Sequence, residues 1–246
     1  MLLTWIIVFS ILGSVGAIIG ATFLLTFPAH MRKILMPGLL SYATGTLLGA
    51  AFLGMIPNGV QQATVLSVSS TVLAGIVLFF LLEKMIIWRH CHDAECEVHG
   101  SAGPLILIGD AFHNFVDGFV IAAAFLTSVP LGIAASLAVI AHEIPQEVGD
   151  FAILLDSGYS KIRALVLNML SSLTTLPGAV IAFYFLGATM EAVPYILALS
   201  AASFIYIAVA DLVPSLHRQF GLKSALTQLV LLLTGIGTIA IFQFSD

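Results

Sequence analysis

The sequence has very little charge: only 9% of its 246 residues are charged, whereas 60% are hydrophobic, and the mean hydropathy is +1.11. A water-soluble domain needs more polar surface than this composition supplies, so the soluble classes are excluded. The chain also lacks a glycine-rich phosphate loop, a convincing Ser/His/Asp set and a basic patch for nucleic acid. These absences argue against nucleotide-dependent and hydrolytic functions and against a nucleic-acid partner.

The long apolar runs predict an all-α, polytopic membrane protein. A spanning helix needs roughly 20 mainly apolar residues. Eight such segments lie at about residues 2–27, 35–57, 64–88, 104–126, 131–155, 162–186, 192–214 and 223–244. The runs are too long for barrel strands and lack their period-two alternation. The first run has no basic region before it, so we interpret it as a retained helix and not a signal peptide. The whole chain, 1–246, is therefore predicted to be one transmembrane domain in a lipid bilayer.

The few basic residues predict how the chain is oriented. They lie in or beside the loops after the first, third, fifth and seventh spans: Arg32, Lys33, Lys84, Arg89, Lys161, Arg163, Arg218 and Lys223. Cytosolic loops carry the excess of Lys and Arg in membrane proteins. These four loops are therefore predicted to be cytosolic, with both termini on the extracytoplasmic side. A span count that differed by one would break this segregation.

Two spans share a pattern that suggests an inverted repeat. The second and the seventh are rich in small residues and end in two apolar residues and a proline, at Pro57 and Pro214. They run in opposite directions through the membrane, as related elements of an inverted repeat do in many transporters. We therefore predict a 3+2+3 arrangement, in which the fourth and fifth spans lie between two related groups of three.

Cysteine is also scarce, and both cysteines lie in the short loop 89–102 that is predicted to be cytosolic. The loop offers several potential metal ligands: His90, Cys91, His92, Cys96 and His99. Their spacing does not match a closed structural zinc site, and a disulfide is disfavoured in a reducing cytosol. Two interpretations stay open: a loop that collects or senses metal, and a merely solvated loop.

The remaining polar residues are concentrated in two apolar spans, in the stretches 113–118 and 142–150. The fourth and fifth spans are joined so tightly around Ser128 that they must form an antiparallel hairpin. His113 lies fifteen residues before Ser128 and Glu143 fifteen residues after it, so both lie at the same depth, near the midplane. Ionisable side chains that face lipid are costly, so both clusters are predicted to face inward, toward each other.

These residue types favour a divalent metal site. His113, Asp117 and His142 supply two imidazoles and a carboxylate, a set suited to zinc. Asp117 and Glu143 could each bridge to a second ion, with Asn114 and Gln146 as weak neutral ligands. Four further acids are predicted to line a route toward the cytosol: Asp110, Glu147, Asp150 and Asp211.

Three functions other than metal transport would also place polar residues inside a membrane span. A buried hydrogen-bonded network or a metal-free proton relay would also use such residues. His142-Glu143 begins like the HExxH motif, which would indicate an intramembrane metalloprotease. However, the second histidine of that motif is replaced by Gln146, and Pro145 bends the helix that would present both. The prediction is therefore a transporter and not an enzyme.

Several motifs resemble those of the ZIP family of divalent metal-ion transporters. HNFVDG at 113–118 resembles the family motif HNxxDG, and HEIPQEVGDFAILL at 142–155 resembles HExPHExGDFAIL of its zinc-transporting branch. FFLLEK at 79–84 and YIAVADLVP at 206–214 are also similar to family sequence.

The resemblance implies a homodimer of eight-helix chains in the cell membrane (plasma or inner), which moves Zn²⁺ or a similar ion such as Cd²⁺, Fe²⁺ or Mn²⁺ into the cytosol. By motif position it implies a binuclear site. One ion would be bound by His113, Asp117, His142 and Gln146, and the other by Asn114, Asp117, Glu143 and Gln146. Gln146 stands where the branch usually has a second histidine, so metal choice is expected to depend on it.

Overall fold

The computed structural model describes residues 1–88, 102–218 and 221–244, and within these ranges the chain is helical with no strands. Eight helices are long and apolar enough to cross a membrane: α1 (Leu2–Thr26), α2 (Ala29–Gln62), α3 (Val65–Trp88), α4 (Ala102–Thr127), α5 (Val129–Asp156), α6 (Lys161–Ala188), α7 (Met190–His217) and α8 (Leu222–Phe244). The predicted fold class, all-α with eight spanning helices, is confirmed. The potential ligands of the 89–102 loop, from His90 to His99, lie outside the described residues.

The helix ends follow from the connecting residues. Ser128 caps α5: its backbone is extended, and its hydroxyl accepts a hydrogen bond from the Leu131 N–H at 3.2 Å. Ser160 caps α6 in the same way, through the Arg163 N–H. Gly158 has a φ of +87°, a left-handed conformation that glycine adopts without steric cost. These caps explain why the connections can be so short.

The largest departure from the predicted boundaries is α2, which begins at Ala29 and continues past Pro57 to Gln62. The cause is a π-helical turn at Ala50–Met55, immediately before the proline. A proline in a regular α-helix clashes with the carbonyl four residues earlier. Here that residue, Leu53, lies inside the wider π-helical turn, so the helix can pass the proline without ending.

The seventh helix repeats this local structure. A π-helical turn at Ile207–Leu212 precedes Pro214, just as Ala50–Met55 precedes Pro57. Each turn is six residues long and is followed by a helical segment with proline in its first turn. The shared feature supports a relationship between α2 and α7, while the 3+2+3 arrangement of the whole chain stays a prediction.

The α4–α5 hairpin is the centre of the bundle. α5 packs against α1, α2, α4, α6 and α8, and α4 packs against α1, α5, α6 and α7. The halves of the hairpin nearest Ser128 are apolar except for Ser136 and are mostly buried, from Val120 to Phe125 in α4 and from Leu131 to Val139 in α5. By contrast, only 11% of the most apolar part of α3 and of α8 is buried within the chain. Their outward-facing side chains suit contact with lipid.

Two glycines set the distance between α4 and α6. A Cβ atom on Gly118 would contact the backbone of Thr175 and Ala179, and one on Gly178 would contact the backbone of Phe115. Small residues at a crossing let two membrane helices approach until their backbones touch. This contact fixes the position of the polar segment of α4 relative to α6.

We expect Gly118→Ala to destabilise the protein, because the new methyl group meets backbone atoms that cannot rotate away. Overpacking of this kind costs about 1–3 kcal/mol, which lowers the melting temperature by roughly 2–10 °C in a chain of this size. Thermal unfolding of the purified protein in detergent measures the change. Gly109→Ala is the matched control in the same helix, because nothing lies within 4 Å of the added atom. Equal melting temperatures for the two variants would contradict the close contact between α4 and α6 at Gly118.

Candidate metal centre

Four side chains from the central hairpin bring their ligand atoms together: His113 and Asp117 from α4, and His142 and Glu143 from α5. The Nε2 atoms of the two histidines are 3.2 Å apart. Oε1 of Glu143 lies 3.3 Å from Nε2 of His113 and 3.4 Å from Nε2 of His142. Oδ2 of Asp117 lies 3.8 Å and 3.2 Å from the same two nitrogens. The two polar stretches therefore face each other, as the tight hairpin predicts.

The spacing of these atoms fits a tetrahedral zinc ion. Zinc binds imidazole nitrogen and carboxylate oxygen at about 2.0–2.2 Å, and ligand atoms at the corners of such a tetrahedron are about 3.3–3.6 Å apart. The four nitrogen–oxygen distances and the distance between the two nitrogens span 3.2–3.8 Å. Two imidazoles and two carboxylates are also ligands that zinc commonly takes. Little rearrangement would be needed to bind the ion.

The orientation of His142 is fixed by the backbone of its own helix. Its Nδ1 atom lies 2.9 Å from the carbonyl oxygen of Ala138. A carbonyl can only accept, so Nδ1 carries the hydrogen and Nε2 is the nitrogen that faces the cluster. Hydrogen bonding of the remote nitrogen is a usual way to orient a metal-binding histidine. The side chain is 1% exposed, so it has no alternative partner in solvent.

His113 is the most exposed member of the cluster. The His113 side chain is 22% exposed, whereas those of Asp117, His142 and Glu143 are at most 1% exposed. A cavity of about 270 Å³ between α3, α4 and α7 reaches His113. Its wall also includes Phe79, Tyr206 and Asp211. His113 is thus the member of the cluster that borders this cavity.

The two amides near the cluster form hydrogen bonds with an acid. Asn114 Nδ2 and Gln146 Nε2 each donate to Oδ1 of Asp110 at 3.0 Å. The side-chain oxygen Oδ1 of Asn114 accepts a further bond from the Thr175 hydroxyl at 3.0 Å. Among acids and histidines, Glu143 is the fourth member of the group, whereas the Gln146 amide nitrogen donates to Asp110. The amides instead anchor Asp110 beside that group.

The four acids predicted to line a route lie in two places. Asp110, Glu147 and Asp150 are buried, at 4%, 0% and 7% exposure. Asp110 and Glu147 form a second group with Glu143, in which one oxygen from each lies within 4.8 Å of the others. Asp211 is exposed and lies on the wall of the cavity. The structure therefore brings three of the acids close to the cluster and places the fourth along the cavity.

Sequence reasoning gave no specific role to several residues that the structure brings to the centre. Asn168 in α6 donates to the backbone carbonyl of Glu147 at 3.1 Å. Thr174 donates to the Ala111 carbonyl at 2.6 Å. Both belong to a run of polar residues in an otherwise apolar span, which was the available signal. Phe79 and Tyr206 carry no such signal, because aromatic residues are ordinary in a membrane helix.

Comparison with known proteins identifies the family. The family model described as ZIP Zinc transporter matches residues 88–243. Zinc transporter ZIP13 of Pongo abelii is 33% identical over 98% of this chain, which spans 79% of that relative. The chain belongs to the ZIP family.

Other ZIP relatives match over shorter regions. Zinc transporter ZIP4 of Homo sapiens is 44% identical over 46% of the chain, which spans only 18% of that protein. Zinc transporter zipt-7.2 of Caenorhabditis elegans is 29% identical over 82% of the chain, which spans 57% of it. Members of the ZIP family are transporters of divalent metal ions and not enzymes, in agreement with the prediction from sequence. The chain is accordingly an integral membrane protein.

Proposed function

We propose that this ZIP protein moves Zn²⁺ into the cytosol and that His113, Asp117, His142 and Glu143 bind the ion on its way. The observation that carries the proposal is the convergence of four ligand atoms at tetrahedral zinc spacing, at the base of a cavity. The zinc transporters among its relatives, including ZIP13, support zinc as the substrate. Cd²⁺, Fe²⁺ and Mn²⁺ are further candidate substrates of the same site.

The direction of transport is proposed from the position of the cavity. Its wall includes Asp211, near the end of α7. In the sequence, basic residues occur between α3 and α4 and between α7 and α8. Arg32 and Lys161 line one cavity, and Lys33 and Lys223 line another, so basic residues of different loops lie at a common level. The positive-inside rule makes this side cytosolic and both termini extracytoplasmic. An ion released past His113 would then pass Asp211 and enter the cytosol.

The other side of the cluster is closed by the apolar core. Ile121, Phe125, Leu131 and Val139 of the hairpin are at most 2% exposed, and Met55 of α2 packs among them. A hydrated ion cannot cross such a layer without a rearrangement. The state with access to the other side must therefore separate the hairpin from its neighbours, as expected for alternating access.

Proteoliposomes test the proposal. Purified protein is reconstituted into vesicles that contain a zinc-sensitive dye, and zinc is added outside. Saturable entry of zinc that depends on the protein is expected. Zinc entry no greater than in protein-free vesicles would contradict transport. That result would favour the alternative, an intramembrane metalloenzyme of the HExxH type. Cleavage of a membrane peptide is the assay for such an enzyme.

Gln146 offers a test of metal selectivity. We expect Gln146→His to raise the preference for zinc over manganese by about tenfold, because an added imidazole favours the softer, nitrogen-binding ion. Competition between the two ions for uptake into the same vesicles measures the ratio. Gln62→His, in an exposed position at the end of α2, is the control. If the ratio of zinc to manganese uptake does not change in Gln146→His, metal selectivity does not depend on this position.

The homodimer that the family resemblance implies remains a proposal. α3 and α8 have the largest faces left uncovered by their own chain, and either could contact lipid or a second copy. The mass of the protein in lipid nanodiscs distinguishes the two arrangements. Particles with two chains are expected, and a uniform population with one chain would contradict the dimer.

A further inference from the structure

A second group of buried oxygens lies one helical turn from the histidine cluster. Asp110, Glu143 and Glu147 each place a carboxylate oxygen within 4.8 Å of the others, and all three are at most 4% exposed. Among the described residues, Oδ2 of Asp110 and both carboxylate oxygens of Glu147 have no hydrogen-bond partner. Acceptor atoms buried without donors are costly, so this group calls for a positively charged occupant.

The sixth helix adds two further oxygens to this group. Asn168 is 2% exposed and is tied to Glu147 by the bond from its amide to the Glu147 carbonyl. The amide oxygen, Oδ1, has no partner within the described part of the chain. Ser172 follows one turn later, is fully buried and faces the Glu147 carboxylate. Its hydroxyl also makes no hydrogen bond with any described residue.

The concentration of buried acids also favours a bound cation. Five carboxylates are buried in and beside the centre: Asp110, Asp117, Glu143, Glu147 and Asp150. Among the residues that the structure describes, their ion-pair partners are His113 and His142 alone. Carboxylates crowded together in a membrane interior repel one another, and a divalent ion between them would offset that repulsion.

We infer that Asp110, Glu143, Glu147, Asn168 and Ser172 form a second cation site, built only from oxygen ligands and suited to a hard divalent ion such as Mn²⁺. Carboxylate, amide and hydroxyl oxygens select Mg²⁺, Ca²⁺ and Mn²⁺ over softer metals. The site differs from the family-derived second set, because it uses neither Asn114, Asp117 nor Gln146. It rests on the proposed function only in that Glu143 is shared between the two sites.

Glu143 can serve both sites because its two oxygens are used differently. Oε1 faces the two histidines at 3.3 Å and 3.4 Å. Oε2 has no partner among the described residues and remains for the second ion. The amides of Asn114 and Gln146 hold Oδ1 of Asp110, which leaves its Oδ2 for the same ion. In Glu143 and in Asp110, one oxygen thus faces other side chains and one is available to the second ion.

Manganese binding tests the inference. The purified full chain is stripped with a chelator, loaded with one equivalent of zinc and titrated with Mn²⁺, and free Mn²⁺ is followed by its electron paramagnetic resonance signal. The wild type should bind one Mn²⁺ in addition to one Zn²⁺. Glu147→Gln should weaken manganese binding at least about tenfold, because one of three charged ligands is lost. Its zinc content should stay at one ion, because Glu147 is outside the histidine cluster.

Ser172→Ala supplies a second, milder variant, which should weaken manganese binding about threefold to tenfold. Ser136→Ala removes a buried hydroxyl that is bonded to the Gly132 carbonyl elsewhere in the hairpin, and it should bind both ions like the wild type. A wild type that binds no manganese, or a Glu147→Gln variant that binds it equally well, would overturn the second site. Loss of zinc from Glu147→Gln would also overturn it. The wild-type zinc count separately tests the histidine cluster.

Discussion

His142→Ala is expected to abolish saturable zinc uptake, with a loss of at least about 100-fold at low zinc concentration. Changes to residues that only support a metal ligand cost 10–100-fold in metal affinity, and His142 is itself at the centre of the cluster. Its Nε2 lies within 3.4 Å of ligand atoms from three other residues. Removal of the ring deletes a ligand and leaves Asp117 and Glu143 facing each other without it.

The experiment compares initial rates of uptake into proteoliposomes across a range of zinc concentrations. His217→Ala is the matched control, because His217 is exposed in the last turn of α7, away from the cluster. Size-exclusion profiles and melting temperatures show whether each variant is folded. Wild-type kinetics in a folded His142→Ala variant would mean that zinc crosses the membrane by another route.

Asp117→Asn is expected to have a comparably large effect, because it removes one negative charge without a change in size. The side chain is fully buried, and its Oδ2 lies 3.2 Å from Nε2 of His142. A neutral amide is a far weaker zinc ligand than a carboxylate, and it could also turn its nitrogen toward the histidines. We expect zinc affinity, measured by calorimetry in detergent, to fall at least about 100-fold.

The control for this variant is Asp156→Asn, a change of the same kind at the exposed end of α5. It should bind zinc with the affinity of the wild type. If both variants bound zinc equally well, Asp117 would not be a ligand, and its contact with His142 would have only a structural role.

The sequence was enough to predict the number of helices, because each apolar run is long and the eight basic residues lie in alternate connections. The sequence was less informative about which helices continue beyond a proline. Pro57 was expected near the end of α2, yet the helix runs on to Gln62. A π-helical turn such as Ala50–Met55 adds one residue to a turn of an apolar helix, and hydropathy alone does not register it.

The sequence also predicts that the two polar stretches face each other. This follows from the length of the hairpin and from the cost of polar groups in lipid. The hydrogen-bond partners of individual side-chain amides could not be predicted. Gln146 and His142 share a face of α5, and helical spacing does not show that the Gln146 amide turns to Asp110. That choice depends on how α4 and α5 pack against each other and against α6, through contacts such as Thr175 with Asn114.

X-ray absorption spectroscopy of the bound zinc tests the central claim most directly, because it reports the ligands of the ion itself. The full chain is loaded with one equivalent of zinc, and its spectrum is compared with that of His113→Ala. The wild type should show four ligands at about 2.0–2.2 Å, two of them imidazoles, and the variant should have one imidazole at most. A wild-type spectrum with sulfur ligands, or with no imidazole contribution, would contradict the proposed centre.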